Sequence, residues 1–132
     1  MIVVDNTVLV DFWVGEPEYR EAARLLFRED SDWSAPDLWR YEFGNVIRKY
    51  ARLGRISEEV KEGAWKGCLR MVQTVHEVDV LAVDQIAEQG DLKFYDASYV
   101  WLAMEIGIVL RTRDRQVLSA FPDIAKAMPT LS

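Results

Sequence analysis

The stretch Met1-Ile2-Val3-Val4-Asp5-Asn6-Thr7 opens the chain and decides its fold class. Its apolar residues are too few for a helix, but they suffice for a buried strand of a parallel sheet. Asp5 stands where this strand ends, and Thr7 is predicted to cap a helix over residues 8–14. Because open α/β sheets bind ligands at the carboxyl ends of their strands, Asp5 is the first candidate functional residue.

Length, charge and composition limit the classes of protein that fit the chain. With 132 residues, half of them hydrophobic, it is predicted to form one domain over residues 1–132. A formal net charge of −6 argues against a general basic surface for nucleic acid, although it is compatible with a local one. The single cysteine, Cys68, excludes an internal disulfide and fits a reducing cytoplasm.

The sequence shows neither a basic leader nor a run approaching the roughly 20 apolar residues of a membrane span. We therefore expect a cytoplasmic protein without a membrane partner. The single histidine, His76, is predicted to lie in a strand over residues 75–80. It has no second zinc ligand nearby and no Gly-x-Ser-x-Gly motif to serve, which argues against zinc sites and Ser-His-Asp hydrolases.

Strand-like and helix-like segments alternate along the chain. This alternation predicts an α/β domain with a central parallel sheet of four to five short strands and helices on both faces. The predicted strands cover residues 2–4, 33–35, 75–80 and 108–110. The predicted helices cover residues 8–14, 18–29, 37–53, Ser57 to about Gln73, 84–92, Tyr95 or Asp96 to Gly107, and 116–121.

The predicted helix over residues 37–53 carries an acid in an unusual place. Its core-facing stripe consists of Leu38, Trp39, Phe43, Val46, Ile47 and Tyr50. Glu42 lies beside this stripe and shares one helical edge with Asn45 and Lys49. We therefore expect Glu42 to be partly buried, unlike the acids of the next helix.

Four acids are predicted to meet at one edge of the sheet. Asp5 and Asp114 each follow a predicted strand, so both belong at its carboxyl edge. Asp96 begins the helix that leads into the strand before Asp114, and a helix runs antiparallel to the strand it precedes. The same rule places Glu42, in the first turns of its helix, at this edge. Each acid alone has a simpler role: Asp96 or Asp114 as a helix cap, Asp5 as a turn former, Glu42 as an ion-pair partner of Arg40 or Lys49.

Such a cluster predicts a metal site. Two carboxylates about 4 Å apart repel each other by roughly 4 kcal/mol at an effective dielectric of 20. Divalent cations with oxygen ligands offset this repulsion. Two such ions can activate a water and stabilise the leaving oxygen of a phosphodiester. A haloacid-dehalogenase-like phosphatase needs a second Asp where Thr7 stands, and a receiver domain needs adjacent acids after its first strand, so neither class fits.

Four motifs in order resemble those of PIN-domain ribonucleases. They are Ile2-Val3-Val4-Asp5-Asn6-Thr7-Val8-Leu9-Val10, Tyr41-Glu42-Phe43-Gly44-Asn45-Val46-Ile47-Arg48-Lys49, Tyr95-Asp96-Ala97-Ser98-Tyr99-Val100-Trp101-Leu102-Ala103 and Leu110-Arg111-Thr112-Arg113-Asp114-Arg115. Together they span nearly the whole chain. In its small size the chain most resembles VapC-type toxins of toxin–antitoxin pairs.

The resemblance implies an endoribonuclease that depends on Mg²⁺ or Mn²⁺. Its acidic site, both catalytic and metal-binding, would comprise Asp5, Glu42, Asp96 and Asp114. By the same resemblance Thr7 and Thr112 would hold the acids by hydrogen bonds, and Asn45 would support Glu42. It also implies an RNA substrate, a homodimer and a cognate antitoxin that covers the groove. Asn6, Arg113 and the Phe43-Gly44 pair depart mildly from the family pattern, and none removes an acid.

Two other functions remain open at this point. One is a PIN-domain RNA-processing nuclease without an antitoxin. The other is a catalytically silent PIN-like module that binds RNA or protein. Arg48, Arg52 and Arg55, near the end of the predicted helix 37–53, are candidates for RNA phosphate contacts or for a solvated face.

Overall fold

Seven helices and five strands alternate along residues 1–131, the part of the chain that the computed structural model describes. Ser132, the last residue of the predicted domain, lies outside the described residues. The strands are β1 (Ile2–Val4), β2 (Trp33–Pro36), β3 (Val72–Val75), β4 (Leu110–Arg111) and β5 (Ala125–Lys126). The helices are α1 (Asn6–Val14), α2 (Pro17–Glu29), α3 (Trp39–Arg52), α4 (Glu58–Met71), α5 (Val80–Gly90), α6 (Phe94–Ile106) and α7 (Arg115–Ala120).

The five strands form one sheet in the order β3-β2-β1-β4-β5. Every neighbouring pair is parallel, and Val3 at the centre of β1 pairs with Ser34 on one side and Leu110 on the other. All three residues of β1 are buried. The predicted parallel α/β sheet is therefore confirmed.

The strand order places the candidate site between β1 and β4. From β1 the chain moves outward to β2 and β3, then returns past β1 to β4 and continues to β5. Because crossovers between parallel strands are right-handed, this reversal puts α1–α4 on one face and α5–α7 on the other. Open sheets bind ligands where the strand order reverses, at the carboxyl ends of the strands. In this sheet that position is the end of β1 and β4.

Helix α1 begins two residues earlier than predicted. The N-cap is Asp5, whose side chain accepts a hydrogen bond from the backbone N–H of Val8. Thr7 lies within the first turn, so the prediction that Thr7 caps a helix over residues 8–14 was wrong. Asp5 follows β1 without any connecting residue, and Asp is as good a cap as Thr.

The third, fourth and fifth strands differ from the prediction, and β4 covers Leu110–Arg111 instead of residues 108–110. Strand β3 ends at Val75, so the predicted strand over residues 75–80 was wrong, and His76 lies in the connection to α5. The alternating apolar residues after His76 resemble a strand, but Asp79 caps α5 there by accepting a hydrogen bond from Ala82 N–H. Helix α5 consequently begins at Val80 instead of at residue 84. Strand β5 was not predicted because two residues show no periodicity.

The helix predicted over residues 37–53 is α3, and its predicted stripe faces the core except for Leu38, which precedes the helix and is not part of the core. Trp39, Phe43 and Ile47 are fully buried, and Val46 and Tyr50 pack against the core from its margin. The rings of Trp39 and Phe43 make a T-shaped contact with centroids 5.8 Å apart. This packing fixes α3 against the sheet and thereby the position of Glu42 in its first turn.

None of the helices between residues 1 and 131 combines the length and the hydrophobicity that a membrane crossing demands.

Replacing Gly67 in α4 by Ala is expected to destabilise the fold by about 1–3 kcal/mol, as overpacking typically does. A Cβ at Gly67 would overlap the ring of Trp13, which is packed between α1 and α4. Gly63 of the same helix is the matched control, since a Cβ there meets nothing within 4 Å. Gly63→Ala should leave stability unchanged or raise it by up to about 1 kcal/mol. Urea unfolding of both variants checks this, and equal effects would contradict the packing of Trp13.

Candidate active site

Asp5 and Asp114 lie at the ends of the two strands where the sheet order reverses. Asp5 directly follows β1, and Asp114 caps α7 by accepting hydrogen bonds from the N–H groups of Gln116 at 2.9 Å and Val117 at 3.1 Å. Thr112 joins the two strand ends. Its hydroxyl donates to Asp5 Oδ2 and accepts from the N–H of Asp114 at 3.0 Å.

Glu42 and Asp96 reach the same edge from the first turns of α3 and α6. Both are half-buried, and their helices lie on opposite faces of the sheet. The hydroxyl of Tyr99 donates a hydrogen bond to Glu42 Oε1 at 3.0 Å, so α6 contacts α3 directly above the strand ends. The structure thus assembles the four predicted acids from four separate segments.

Burial is the main influence on Asp5. It raises the pKa of this carboxyl to about 6, although the hydrogen bonds from Thr112 and Val8 lower it. The negative charges of Asp96 and Asp114 are smaller contributions to the same raised pKa. A carboxyl that is 7% exposed and faces two other acids is costly to ionise.

Glu42 behaves in the same way. Burial raises its pKa to about 7, and the charges of Asp96 and Asp5 add to this effect. The hydrogen bond from Tyr99 and the charge of Lys93 lower the pKa of Glu42. Burial and the neighbouring Glu42 also hold the pKa of the Tyr99 hydroxyl well above its usual range, so Tyr99 stays protonated and donates.

Asp96 completes the set of interacting charges. Burial and the charge of Asp114 raise the pKa of Asp96, while Lys93 opposes them. Every one of the four acids therefore interacts electrostatically with at least one other. Perturbed acids of this kind, gathered in one place, are typical of functional sites.

The simpler roles considered for single acids are partly present. Asp5 and Asp114 do cap helices, each through Oδ1. Asp96 does not cap α6, whose N-cap is Lys93 without a side-chain bond. Glu42 is not bound to Arg40, which instead donates to Asp37 Oδ1 at 2.6 Å.

The three supporting residues differ in what they contact. Thr112 is fully buried and bonds to Asp5. The other bond to Asp5 comes from Val8 and not from Thr7, which is half-buried in the first turn of α1. Asn45 has an exposed side chain, and the bond to Glu42 comes from Tyr99.

Sequence reasoning missed Tyr99, Asn6 and the ion pair of Asp11 with Arg113. Tyr99 lies three residues after Asp96, so its place on the same helical edge was readable. Asn6 is buried, and its Oδ1 has no hydrogen-bond partner among residues 1–131. Arg113 donates to Asp11 through Nε at 2.7 Å and Nη2 at 3.3 Å. No local signal links these two residues.

A model of the PIN domain matches residues 2–126 of the chain. The chain belongs to the PIN domain family. The resemblance of its four motifs to PIN domains is therefore confirmed. Because the match covers both strand ends and both helix starts, all four acids of the site lie within the PIN domain.

Individual relatives of this PIN domain carry the name VapC. Ribonuclease VapC3 of Pyrobaculum aerophilum is 31% identical over 127 residues, which cover 92% of this chain and 95% of VapC3. Exonuclease VapC9 of the same organism is 37% identical over 79 residues, which cover 60% of this chain and 59% of VapC9. The alignment thus spans less than two thirds of VapC9. The likeness to VapC-type proteins is confirmed.

Solved structures share the fold of this PIN domain. PAE2754 from Pyrobaculum aerophilum superimposes with a TM-score of 0.75 at 28% identity, covering 96% of this chain and 87% of that one. A toxin–antitoxin complex from Klebsiella pneumoniae superimposes with a TM-score of 0.68, covering 96% of each chain. Its 14% identity shows a common fold alone.

The carboxylate oxygens of the acidic site are the type of ligand that hard divalent cations prefer. Within residues 1–131, the hydrogen bonds leave Glu42 Oε2, Asp114 Oδ2 and both oxygens of Asp96 without a protein donor. The unpartnered, buried Oδ1 of Asn6, next in the chain to Asp5, is a further oxygen that needs a donor. No three His, Cys, Asp or Glu side chains of the described residues are already spaced to hold a metal ion, however. An ion held by three or more of these side chains would require them to move closer together.

Proposed function

We propose that this PIN domain is a metal-dependent endoribonuclease of the VapC type that hydrolyses RNA phosphodiester bonds. The observation that carries the proposal is the convergence of Asp5, Glu42, Asp96 and Asp114 at the point where the strand order reverses. The name of ribonuclease VapC3 supports nuclease activity on RNA. VapC9 is called an exonuclease, so the position of the cut is a specific point to test.

The four carboxylates are the proposed ligands of Mg²⁺ or Mn²⁺. A bound ion supplies a Lewis acid that polarises the scissile phosphate and lowers the pKa of a water. The chain contributes the positions of the ligands. Thr112 bonds to both Asp5 and the backbone of Asp114, and Tyr99 holds Glu42, so three ligands are kept in place by side chains that are themselves buried.

The proposed partners follow from the family resemblance. A cognate antitoxin would cover the groove, and two copies of the chain would form a homodimer in the cytoplasm. The shared fold with a toxin–antitoxin complex is compatible with this proposal. A small neighbouring reading frame that encodes a DNA-binding protein would favour the antitoxin-linked toxin over a processing nuclease.

A second candidate function is a catalytically silent PIN module that binds RNA or protein. One observation favours it. Among residues 1–131, no three Asp, Glu, His or Cys side chains are close enough together to coordinate one metal ion. In such a module Lys93 and the hydrogen bonds from Thr112 and Tyr99 would be the groups that partly compensate the acids.

Incubation of total RNA with the purified chain, with Mg²⁺, with Mn²⁺ and with EDTA, tests the proposal. We expect cleavage with either metal and none with EDTA, and sequenced 5′ and 3′ ends should map to internal positions. A circular RNA distinguishes the two kinds of nuclease, since only an endonuclease linearises it.

The control is the Asp5→Asn/Asp96→Asn double variant, purified in the same way, which should cleave nothing. Retained cleavage by this variant would assign the activity to other residues or to a contaminant. Absence of cleavage by the wild-type chain under all three conditions would favour the silent module.

A further inference from the structure

We propose that a groove beside the acidic site binds the backbone of single-stranded RNA, with Arg20 and Arg55 contacting phosphates and Tyr19 and Tyr50 facing bases. This inference rests on the proposed function, because it names how the same site receives its substrate. The groove lies between the turn that joins α1 to α2 and the end of α3.

The groove is large enough for nucleotides and is lined by aromatic and basic side chains. Its volume is about 510 Å³. Three arginines and two tyrosines line it, together with one buried acid: Arg20, Arg55, Arg113, Tyr19, Tyr50 and Asp11. Glu16 is the one other acid of the lining.

The buried acid is already neutralised. Asp11 is 5% exposed and is bound by two nitrogens of Arg113. The guanidinium carbon of Arg113 lies 4.0 Å from the centre of the Tyr19 ring, which holds the arginine from its other side. Asp11 therefore anchors Arg113 and leaves the other arginines of the groove uncompensated.

Arg20 and Arg55 provide the free positive charge. Neither forms an ion pair with any residue between 1 and 131. Arg55 is exposed, and its guanidinium lies 5.4 Å from the centre of the Tyr50 ring. In a chain with a net charge of −6, two unpaired arginines in one groove form a local attractive site for phosphate.

Arg113 connects this groove with the acidic site. It stands between Thr112 and Asp114 in the sequence, and the charge of Asp5 is among those that raise its pKa. None of the four acids lines the groove, so a strand of RNA lying in it would approach the carboxylates at the Arg113 end. Bases can stack on the face of each tyrosine ring that Arg113 or Arg55 leaves uncovered, whereas an oligoglutamate peptide has no ring to stack. The lining therefore favours RNA over an acidic protein segment.

Fluorescence anisotropy with a short, labelled, single-stranded RNA in EDTA tests the inference, with a gel to show that the RNA stays intact. We compare the wild-type chain with Arg20→Ala/Arg55→Ala across a series of salt concentrations. Each lost phosphate contact reduces the slope of log K against log salt by about 0.7 for single strands, so the double variant should lose about 1.4. Its affinity at low salt should fall by about tenfold.

The matched control is Arg28→Ala/Arg70→Ala, which removes two exposed arginines outside the groove and should bind like the wild type. An unchanged slope in the groove variant, or an equal loss in the control, overturns the inference. So does an oligoglutamate peptide that binds more tightly than the RNA through the same two arginines.

Binding and cleavage separate the inference from the proposed function. If the wild-type chain cleaves RNA and the groove variant binds RNA as tightly as the wild type, the groove inference is refuted and the proposed nuclease function is not. If the chain binds RNA through these arginines but cleaves it with neither Mg²⁺ nor Mn²⁺, the result supports the groove and refutes the nuclease. Where both hold, the groove variant should raise KM and leave kcat unchanged.

Discussion

Asp96→Asn should abolish metal-dependent RNA cleavage and at the same time stabilise the metal-free protein. The loss of activity should exceed about a hundredfold, because even the outer-shell partners of metal ligands typically cost 10–100-fold. The gain in stability arises because the charge of Asp96 raises the pKa values of Asp5 and Glu42.

The expected gain is small but measurable. Removing one of several interacting charges relieves roughly 1–2 kcal/mol at an effective dielectric of 20. The loss of an acid from the first turn of α6 costs about 0.3–1 kcal/mol, so a net gain of roughly 1 kcal/mol remains. That corresponds to a rise in Tm of about 4 °C for a domain of this size.

Glu105→Gln is the control for this prediction. Glu105 lies on the same helix as Asp96 but is exposed near its other end. The control should keep full cleavage, and its Tm should rise by no more than the roughly 1–2 °C expected from removing an exposed acid from the last turn of a helix. A metal-free Asp96→Asn protein that melts below the wild type would mean that Asp96 mainly stabilises the start of α6.

Mg²⁺ or Mn²⁺ should raise the Tm of the wild-type chain, and the rise should grow with pH. At a metal concentration of 100 times Kd, binding to the folded state contributes about 2.7 kcal/mol. A scan of Tm against metal concentration at several pH values measures the effect. The Asp5→Asn/Asp96→Asn variant should show no such rise.

The pH dependence follows from the direction of the pKa shifts. Asp5 and Glu42 have pKa values of about 6 and about 7 in the folded chain, above the ordinary values of 3.8 and 4.5. Between about pH 4 and pH 7 the folded state therefore binds more protons than the unfolded state, and the stability of the metal-free protein falls as pH rises.

A divalent ion binds the ionised carboxylates and reverses this trend. The Tm of the metal-free chain should thus decline from pH 5 to pH 8, whereas the metal-saturated chain should lose this decline. A Tm that does not change with metal concentration at any pH would contradict the metal site, but it would not contradict the fold.

Much of the fold was readable because its signals are local. A short β-branched run predicts a strand that ends at Asp5, although the sequence placed the helix cap at Thr7 and the structure places it at Asp5. Ser57 and Gly107 mark helix ends as expected: the Ser57 hydroxyl accepts from Val60 N–H, and Gly107 has a φ of 69°. Even the meeting of four distant acids was predictable, since a helix runs antiparallel to the strand it joins.

Short strands and their boundaries were less readable. Strands β4 and β5 contain two residues each, too few to show an alternation. Strand β3 begins directly at the end of α4, and Val72 serves as both C-cap and strand residue. The pairing of β3 with β2, which no local pattern encodes, determines where that strand lies.

The amino-acid order alone established which acids stand at strand ends and helix starts. The family resemblance implied that Thr112 holds an acid, but only the tertiary structure decided which acid Thr112 contacts and which other side chains take part. Thr112 reaches Asp5 across 107 residues, Arg113 reaches Asp11 across 102, and Tyr99 reaches Glu42 across 57. Such contacts depend on the strand order and on the faces that the helices occupy. Local propensities act over a few residues and carry no information about either.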